Sequence, residues 1–295
     1  MSSALPAPGV HGGDGPKLAL SLGLDPDSIL DLSQSLNPFA PDVASIVAGQ
    51  LHTISWYPDQ TEATALLADA MSVDPARLLL TNGGSEAISL VARHLGGNVR
   101  SEPEFALHPR NGAGPTWRSD PHNPSGQLAS PDETADVWDE AFYPLATGTW
   151  TANRPGVTVG SLTKVFACPG LRLGYVISND VEELGRLQPH WSVSSLALAA
   201  LPEMLERADL PTWSQSISQA RADLVVLLEQ HGLVAESHDA PWVLVEAPEL
   251  RDQLAPHGVI VRDCASFSMP GTVRIAVPGP DGLEQLAAAL ERRNG

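Results

Sequence analysis

Lysine and cysteine are nearly missing from this chain, and aromatic side chains make up only 5% of it. Two cysteines, Cys168 and Cys264, exclude a disulfide framework and a cysteine-rich zinc site, and no metal is expected. No apolar run approaches the roughly 20 residues that span a bilayer, and the N-terminus shows no charged-then-apolar leader. The cytoplasm is therefore the expected compartment, with no membrane partner. Positive charge is scarce as well. Seventeen Lys and Arg residues face 35 Asp and Glu, for a net charge of −18. Nucleic acid and anionic membranes are excluded as main partners, because such surfaces need clustered cations.

What remains is a globular composition. A chain of 295 residues that is 43% hydrophobic can bury a sizeable core, as one large α/β unit or a medium domain with a smaller one appended. Only Lys17 and Lys164 are lysines, so fifteen of the seventeen cations are arginine. Arginine stays charged, whereas a desolvated lysine can lose its proton and attack a carbonyl. Lys17 lies beside Gly15-Pro16 and reads as a surface residue; Lys164 has a context that singles it out.

Residues 1–16 are rich in Gly, Pro and Ala and read as an irregular arm. Alternation over Leu30–Leu36, broken by Asn37-Pro38, predicts a short strand. Apolar spacing predicts a helix over Thr61–Met71, capped by Asp59 or Thr61. A strand over Arg77–Thr81 runs into Asn82-Gly83-Gly84-Ser85 and a helix through Arg93. From Asn98 to Leu128 turn formers dominate. Short buried strands are expected at Val137-Trp138, Val157–Gly160 and Leu173–Ser178. Strands alternating with helices imply a mostly parallel sheet covered on both faces. Beyond about residue 205 a long amphipathic segment (Trp213–Gln230) precedes strands near Trp242–Val245, Val259–Arg262 and Val273–Val277, then a last helix through Leu283, Leu286 and Leu290. That part is α+β.

Four motifs carry chemistry. Ser161-Leu162-Thr163-Lys164 follows a buried strand, which puts the lysine at the open end of a sheet where ligands bind. Two hydroxyls beside it, and Arg172 eight residues on, can grip a phosphate. Thr81–Ala87 presents unpaired N–H groups and a helix start, a phosphate cradle, although an ordinary tight turn reads the same way. His122–Gly126 pairs with Asp139-Glu140. A carboxylate ending a buried strand can hold a protonated pyridine nitrogen, and it also suits a simple turn cap. Arg262 and Arg274, on neighbouring short strands, fit two anionic groups or ordinary salt bridges.

With these motifs in order, the chain resembles the fold-type I enzymes that use pyridoxal 5'-phosphate (PLP), within them the histidinol-phosphate aminotransferase and threonine-phosphate decarboxylase group. His11-Gly12-Gly13, Leu30–Ser33 with Asn37-Pro38, Tyr57-Pro58-Asp59, Trp191–Val193 and Arg262–Ala265 are similar to the decarboxylase branch. The resemblance implies an N-terminal arm (1–40) joining a small domain, a large PLP-binding domain (41–205) and a small C-terminal domain (206–295). It implies that Lys164 carries the cofactor and then shuttles protons. Asp139 would meet the pyridine nitrogen, Asn123 the phenolic oxygen, and His108 would stack on the ring. Gly84, Ser85, Ser161, Thr163 and Arg172 would hold the phosphate, with Tyr57 reaching across a homodimer. Arg274 would bind the substrate carboxylate; Arg262, His11 and Asn37 would meet a phosphate on the amino-acid substrate. Gln127–Thr134 is too short for a crossover helix, so the large domain is shortened, and Phe142 stands where relatives often carry tyrosine. The leading expectation is a threonine-phosphate decarboxylase-like lyase of cobalamin biosynthesis. A histidinol-phosphate aminotransferase-like enzyme is the alternative, and a catalytically silent relative the third.

Overall fold

The computed structural model describes residues 5–9, 11–110 and 112–293, so the outermost residues of the arm (1–4, with residue 10) and of the C-terminal end (294–295) lie outside it. Eleven strands form two sheets among the described residues: β1 (Leu30–Leu32), β2 (Leu78–Asn82), β3 (Asn98–Val99), β4 (Thr116–Ser119), β5 (Val137–Asp139), β6 (Val157–Ser161), β7 (Leu173–Ile177), β8 (Ala235–Ser237), β9 (Trp242–Glu246), β10 (Val259–Asp263) and β11 (Thr272–Ala276). The larger sheet has the order β2-β7-β6-β5-β4-β3. Its pairs β6–β5, β5–β4 and β4–β3 are parallel, while β7 runs antiparallel to both neighbours. Five of its strands therefore point the same way, and their carboxyl ends share one edge.

Strands β6 and β7 are buried at every position because both faces of the sheet are covered. Leu173, Tyr175 and Ile177 face a core with the helices Thr61–Met71 and Ser195–Glu206, while Val176 faces a second core with the helix Gly83–Leu95. Near-continuous apolar runs are what a parallel sheet buried on both sides requires.

The smaller sheet, β1-β10-β11-β9-β8, takes its edge strand from the N-terminal arm, Leu30 to Leu32 pairing parallel with Val259 to Val261. Strand β1 stops at Leu32 rather than running to Leu36. Asp31 Oδ1 accepts from the Ser33 amide (3.0 Å) and from Ser33 Oγ, which turns the chain out of the ladder.

The turn-rich stretch from Asn98 to Leu128 holds a strand that its composition hides. Thr116–Ser119 is too short to show a period, yet Trp117 and Arg118 are buried. Among the described residues, neither 100–115 nor 120–136 contains a helix, although each connects parallel neighbours. Arg118, Trp138 and Thr158 are cross-strand partners and share one face. Over that face Arg154 lies 4.1 Å and Arg118 5.8 Å from the Trp138 ring. Arg118 is held by Glu133, and Arg154 joins Asp120 (2.5 Å) and Glu140 (3.3 Å). A layer of guanidinium groups stacked on an indole thus occupies the place of a crossover helix.

Candidate active site

A cavity of about 470 Å³ opens at the shared carboxyl edge of the larger sheet and reaches the smaller one. Each sequence element delivers its residue by a local rule. Strand β6 ends at Ser161, and the single turn Leu162–Val165 that follows sets Lys164 into the cavity. The turn is tied from outside. The Asn37 backbone N–H donates to Lys164 O (3.1 Å), and its side-chain Nδ2 donates to Val165 O (2.9 Å). Burial, then the charges of Arg274, Arg172 and Arg262, pull the Lys164 amine down to about 8.

Beside the lysine, Ser161 Oγ and Thr163 Oγ1 are 2.7 Å apart, and Arg172 Nη2 donates to Ser85 Oγ at 3.0 Å. Arg172 takes a left-handed backbone (φ 59°), a conformation that costs a side-chain-bearing residue of the order of 1 kcal/mol or more. That turn lays its guanidinium against Gly83, where a Cβ would stand 2.5 Å from Nη2. Glycine at 83 is what lets the arginine reach the helix start at Gly84 and Ser85. Hydroxyls, open backbone N–H groups and a forked cation converging on one corner fit a phosphate.

At the end of β5, Asp139 is buried and lines the cavity. Its Oδ1 accepts from the Ala141 amide (3.0 Å) and its Oδ2 is 2.9 Å from His108 Nε2. The small sheet supplies the opposite wall: Arg262 and Arg274 are cross-strand partners on β10 and β11. Both are buried over aromatic rings, Arg262 on Phe267 and Arg274 on Trp242, each 4.6 Å from the ring centre. Arg274 donates to Asn123 Oδ1 at 2.9 Å, which leaves the Asn123 amide nitrogen for a ligand. Burial and then Arg262 bring Arg274 down to about 9, and burial lowers Arg262 as well. His11, also in the wall, is lowered by burial and by Arg262. Four cations meeting in one cavity of a chain with net charge −18 prepare it for a ligand with several negative groups.

Lys164, Asp139, Asn123, Gly84, Ser85, Ser161, Thr163, Arg172, His11, Arg262 and Arg274 therefore share one cavity. Three expected residues stand elsewhere. His108 is fully buried behind Asp139, its Nε2 against the carboxylate, and does not line the cavity wall. Asn37 lies behind Lys164, its amide committed to Val165 O and its Oδ1 to the Phe39 amide, so it does not line the substrate space. Tyr57 is 79% exposed and packs on Trp191 (4.8 Å), outside the cavity. Ser33 to Ser35, Phe105 and the methyl of Ala141 also line the cavity, although residues 33–35 were expected only as part of a strand, with Ser33 in a motif of the resemblance.

Residues 119–291 match the family model "Aminotransferase class I and II". The chain belongs to the class I and II aminotransferases. Its relatives include a histidinol-phosphate aminotransferase of Pseudomonas aeruginosa, 28% identical over 96% of this chain and 94% of that protein. The alignment runs over 347 positions although this aminotransferase has 295 residues, so the relative carries segments missing here. Among solved structures it is similar to histidinol-phosphate aminotransferase from Sinorhizobium meliloti in complex with pyridoxal-5'-phosphate (TM-score 0.78, 17% identity, 94% of each chain). It is also similar to L-threonine-O-3-phosphate decarboxylase from Porphyromonas gingivalis (TM-score 0.72, 21% identity, 88% of this chain and 97% of that one). The fold is that of fold-type I PLP enzymes, and the aminotransferase is a PLP-dependent enzyme. The residues present fit the cofactor: a phosphate corner with no room for a Cβ at Gly83, a desolvated lysine and a buried carboxylate lie in one cavity. The decarboxylase reading that led at the outset gives way to the aminotransferase alternative, because relatives such as those of Pseudomonas aeruginosa and Halorubrum lacusprofundi are histidinol-phosphate aminotransferases. Among the described residues no helix is long and apolar enough to cross a membrane.

Proposed function

We propose that this enzyme is an aminotransferase for a phosphorylated amino substrate, similar to the histidinol-phosphate aminotransferases. The observation that carries it is the pair Arg262 and Arg274, placed side by side opposite the Lys164 and Arg172 corner. One corner suits the cofactor phosphate; the arginine pair and His11 remain for the anionic groups of a substrate.

Bound PLP supplies an electron sink that weakens the bonds at the substrate's α-carbon. Lys164 carries the cofactor and, with its amine lowered to about 8, can take a proton from that carbon and return it near neutral pH. Asp139 holds the proton on the pyridine nitrogen, and Asn123 donates its amide to the phenolic oxygen while its own oxygen orients Arg274. Ser85, Ser161, Thr163, Arg172 and the backbone at Gly84 grip the cofactor phosphate. Arg274 and Arg262 set which bond at the α-carbon faces Lys164. The division into an arm (1–40), a large domain (41–205) and a small domain (206–295) is part of this reading, the site lying between the last two.

The enzyme works as a homodimer in the same reading. Ile54 (74%), Trp56 (60%), Tyr57 and Trp191 (60%) are exposed apolar side chains, with Tyr57 packed on Trp191, and a second copy covering them would bring Tyr57 to the other phosphate corner. A specific feature keeps the decarboxylase as second reading: Phe142 lines the cavity without a hydroxyl, as that branch tolerates. Incubation with histidinol phosphate and, separately, with threonine O-3-phosphate separates the two. Transfer of the amino group, with the cofactor left in its amine form until a 2-oxo acid is added, is expected. Release of CO2 with the cofactor still an aldehyde would overturn it.

A further inference from the structure

Glu104 is a charged residue in a helix-less connection, and it is only 3% exposed. A buried carboxylate is costly unless its surroundings use it. Its oxygens accept from the Ser119 amide (2.9 Å), Ser119 Oγ (2.6 Å) and the Phe105 amide (2.8 Å), and Oε1 faces His108 Nδ1 at 3.8 Å. Ser119 is the cross-strand partner of Asp139, and His108 Nε2 meets Asp139 Oδ2 at 2.9 Å. Glu104, Ser119, Asp139 and His108 thus close a ring of contacts at the cavity wall, with Ser119 and Asp139 lining the cavity and Glu104 and His108 behind them.

We propose that Glu104 is a positioning residue for the cofactor ring site: through His108 it fixes the carboxylate of Asp139. The proposal rests on the PLP reading of that site. The His108 ring sits edge-on to Phe105 (5.6 Å) and tilted on Trp117 (5.4 Å), so its remaining freedom is a half-turn about Cβ–Cγ. That half-turn would put ring carbons against both carboxylates. With Glu104 in place only one orientation sets nitrogens toward both, and Nε2 then donates to Asp139. Nδ1 is buried, without a hydrogen-bond partner among the described residues, and Glu104 is the charge it faces. Asp139 is consequently tethered at each oxygen, by Ala141 N and by His108, and its carboxylate plane is set before a ligand arrives.

Glu104→Gln keeps the shape and one acceptor oxygen, for the Phe105 amide and Ser119 Oγ, but turns the other oxygen into a donor facing the Ser119 amide and removes the charge facing the ring. In the PLP-loaded enzyme, nitrogen NMR of His108 should show a protonated Nε2 in the wild type, with that signature lost or averaged in the variant. The Kd for PLP, measured by cofactor release, should rise about tenfold, the worth of one hydrogen bond to a charged group. Arg110→Gln is the control: Arg110 clamps the same segment through the carbonyls of Glu104 (2.9 Å) and His108 (2.8 Å) without touching the carboxylate. If Arg110→Gln raises the PLP Kd as much as Glu104→Gln at equal loss of Tm, the role is structural and the proposal fails. It fails equally if Glu104→Gln leaves Kd and the His108 signal unchanged. A bare Nε2 in the wild type sinks it without any variant, and a wild type that binds no PLP would instead remove the reading on which it rests.

Discussion

Replacing Lys164 with methionine should make the cofactor-free protein more stable at neutral pH, although it removes the residue on which the chemistry depends. Its amine is lowered from 10.5 to about 8 in the folded state by burial and by Arg274, Arg172 and Arg262. At about 1.4 kcal/mol per tenfold change in the proton equilibrium, that displacement corresponds to roughly 3 kcal/mol against the ammonium form. Cavity water screens part of it, which leaves about 2 kcal/mol. The sign follows from proton linkage. Below pH 8 both folded and unfolded chains hold the proton, and the folded state carries the whole penalty. Between pH 8 and 10.5 the folded state releases the proton first, so wild-type stability rises with pH. Methionine is of similar length and has no charge to desolvate. Urea unfolding of both cofactor-free proteins should give Lys164→Met an advantage of about 2 kcal/mol at pH 7 that shrinks above pH 8. A variant no more stable at pH 7, or one whose advantage persists unchanged to pH 10, would refute the reasoning.

Glu140, wholly buried between Ala152 and Arg154, is pushed up to about 7 by burial. Its raised value contributes stability below pH 4.5 that is lost as pH climbs to about 7, roughly 3 kcal/mol in all; Glu140→Gln should flatten that decline in a pH series of urea midpoints. Trp138→Ala removes the indole on which Arg118 and Arg154 stack and should cost about 3–5 kcal/mol in chemical denaturation, since it also opens the helix-less face. A Cβ on Gly12 would stand 2.1 Å from Ser33 O. Gly12→Ala should therefore displace the arm and with it His11, raising KM for a phosphorylated substrate while PLP binding stays within twofold; an unchanged KM would show that the arm does not contribute.

The cofactor residues could be read before any fold was known because each sits in a short segment whose chemistry is local. A strand end followed by Ser-Leu-Thr-Lys, paired glycines at a helix start and an acid closing a buried strand need only their neighbours to declare them. Lys164 stood out because arginine had replaced almost every other lysine. Other residues were placed by contacts far apart in the chain. Asn37 stands behind Lys164 with its amide on Val165 O, and His108 stands behind Asp139 with Nε2 against its carboxylate. Glu104 gave no signal, since nothing in Glu-Pro-Glu-Phe says that a carboxylate will be buried against Ser119 and His108. The strand Thr116–Ser119 was hidden for a related reason: four residues carry no period, and only pairing with Val137–Asp139 makes them a strand. Residue order alone pointed to the cofactor and to most of the strands that carry it. Tertiary structure decided which side chains face the ligand and which brace those that do, because bracing depends on the orientation of groups that meet only when the chain closes.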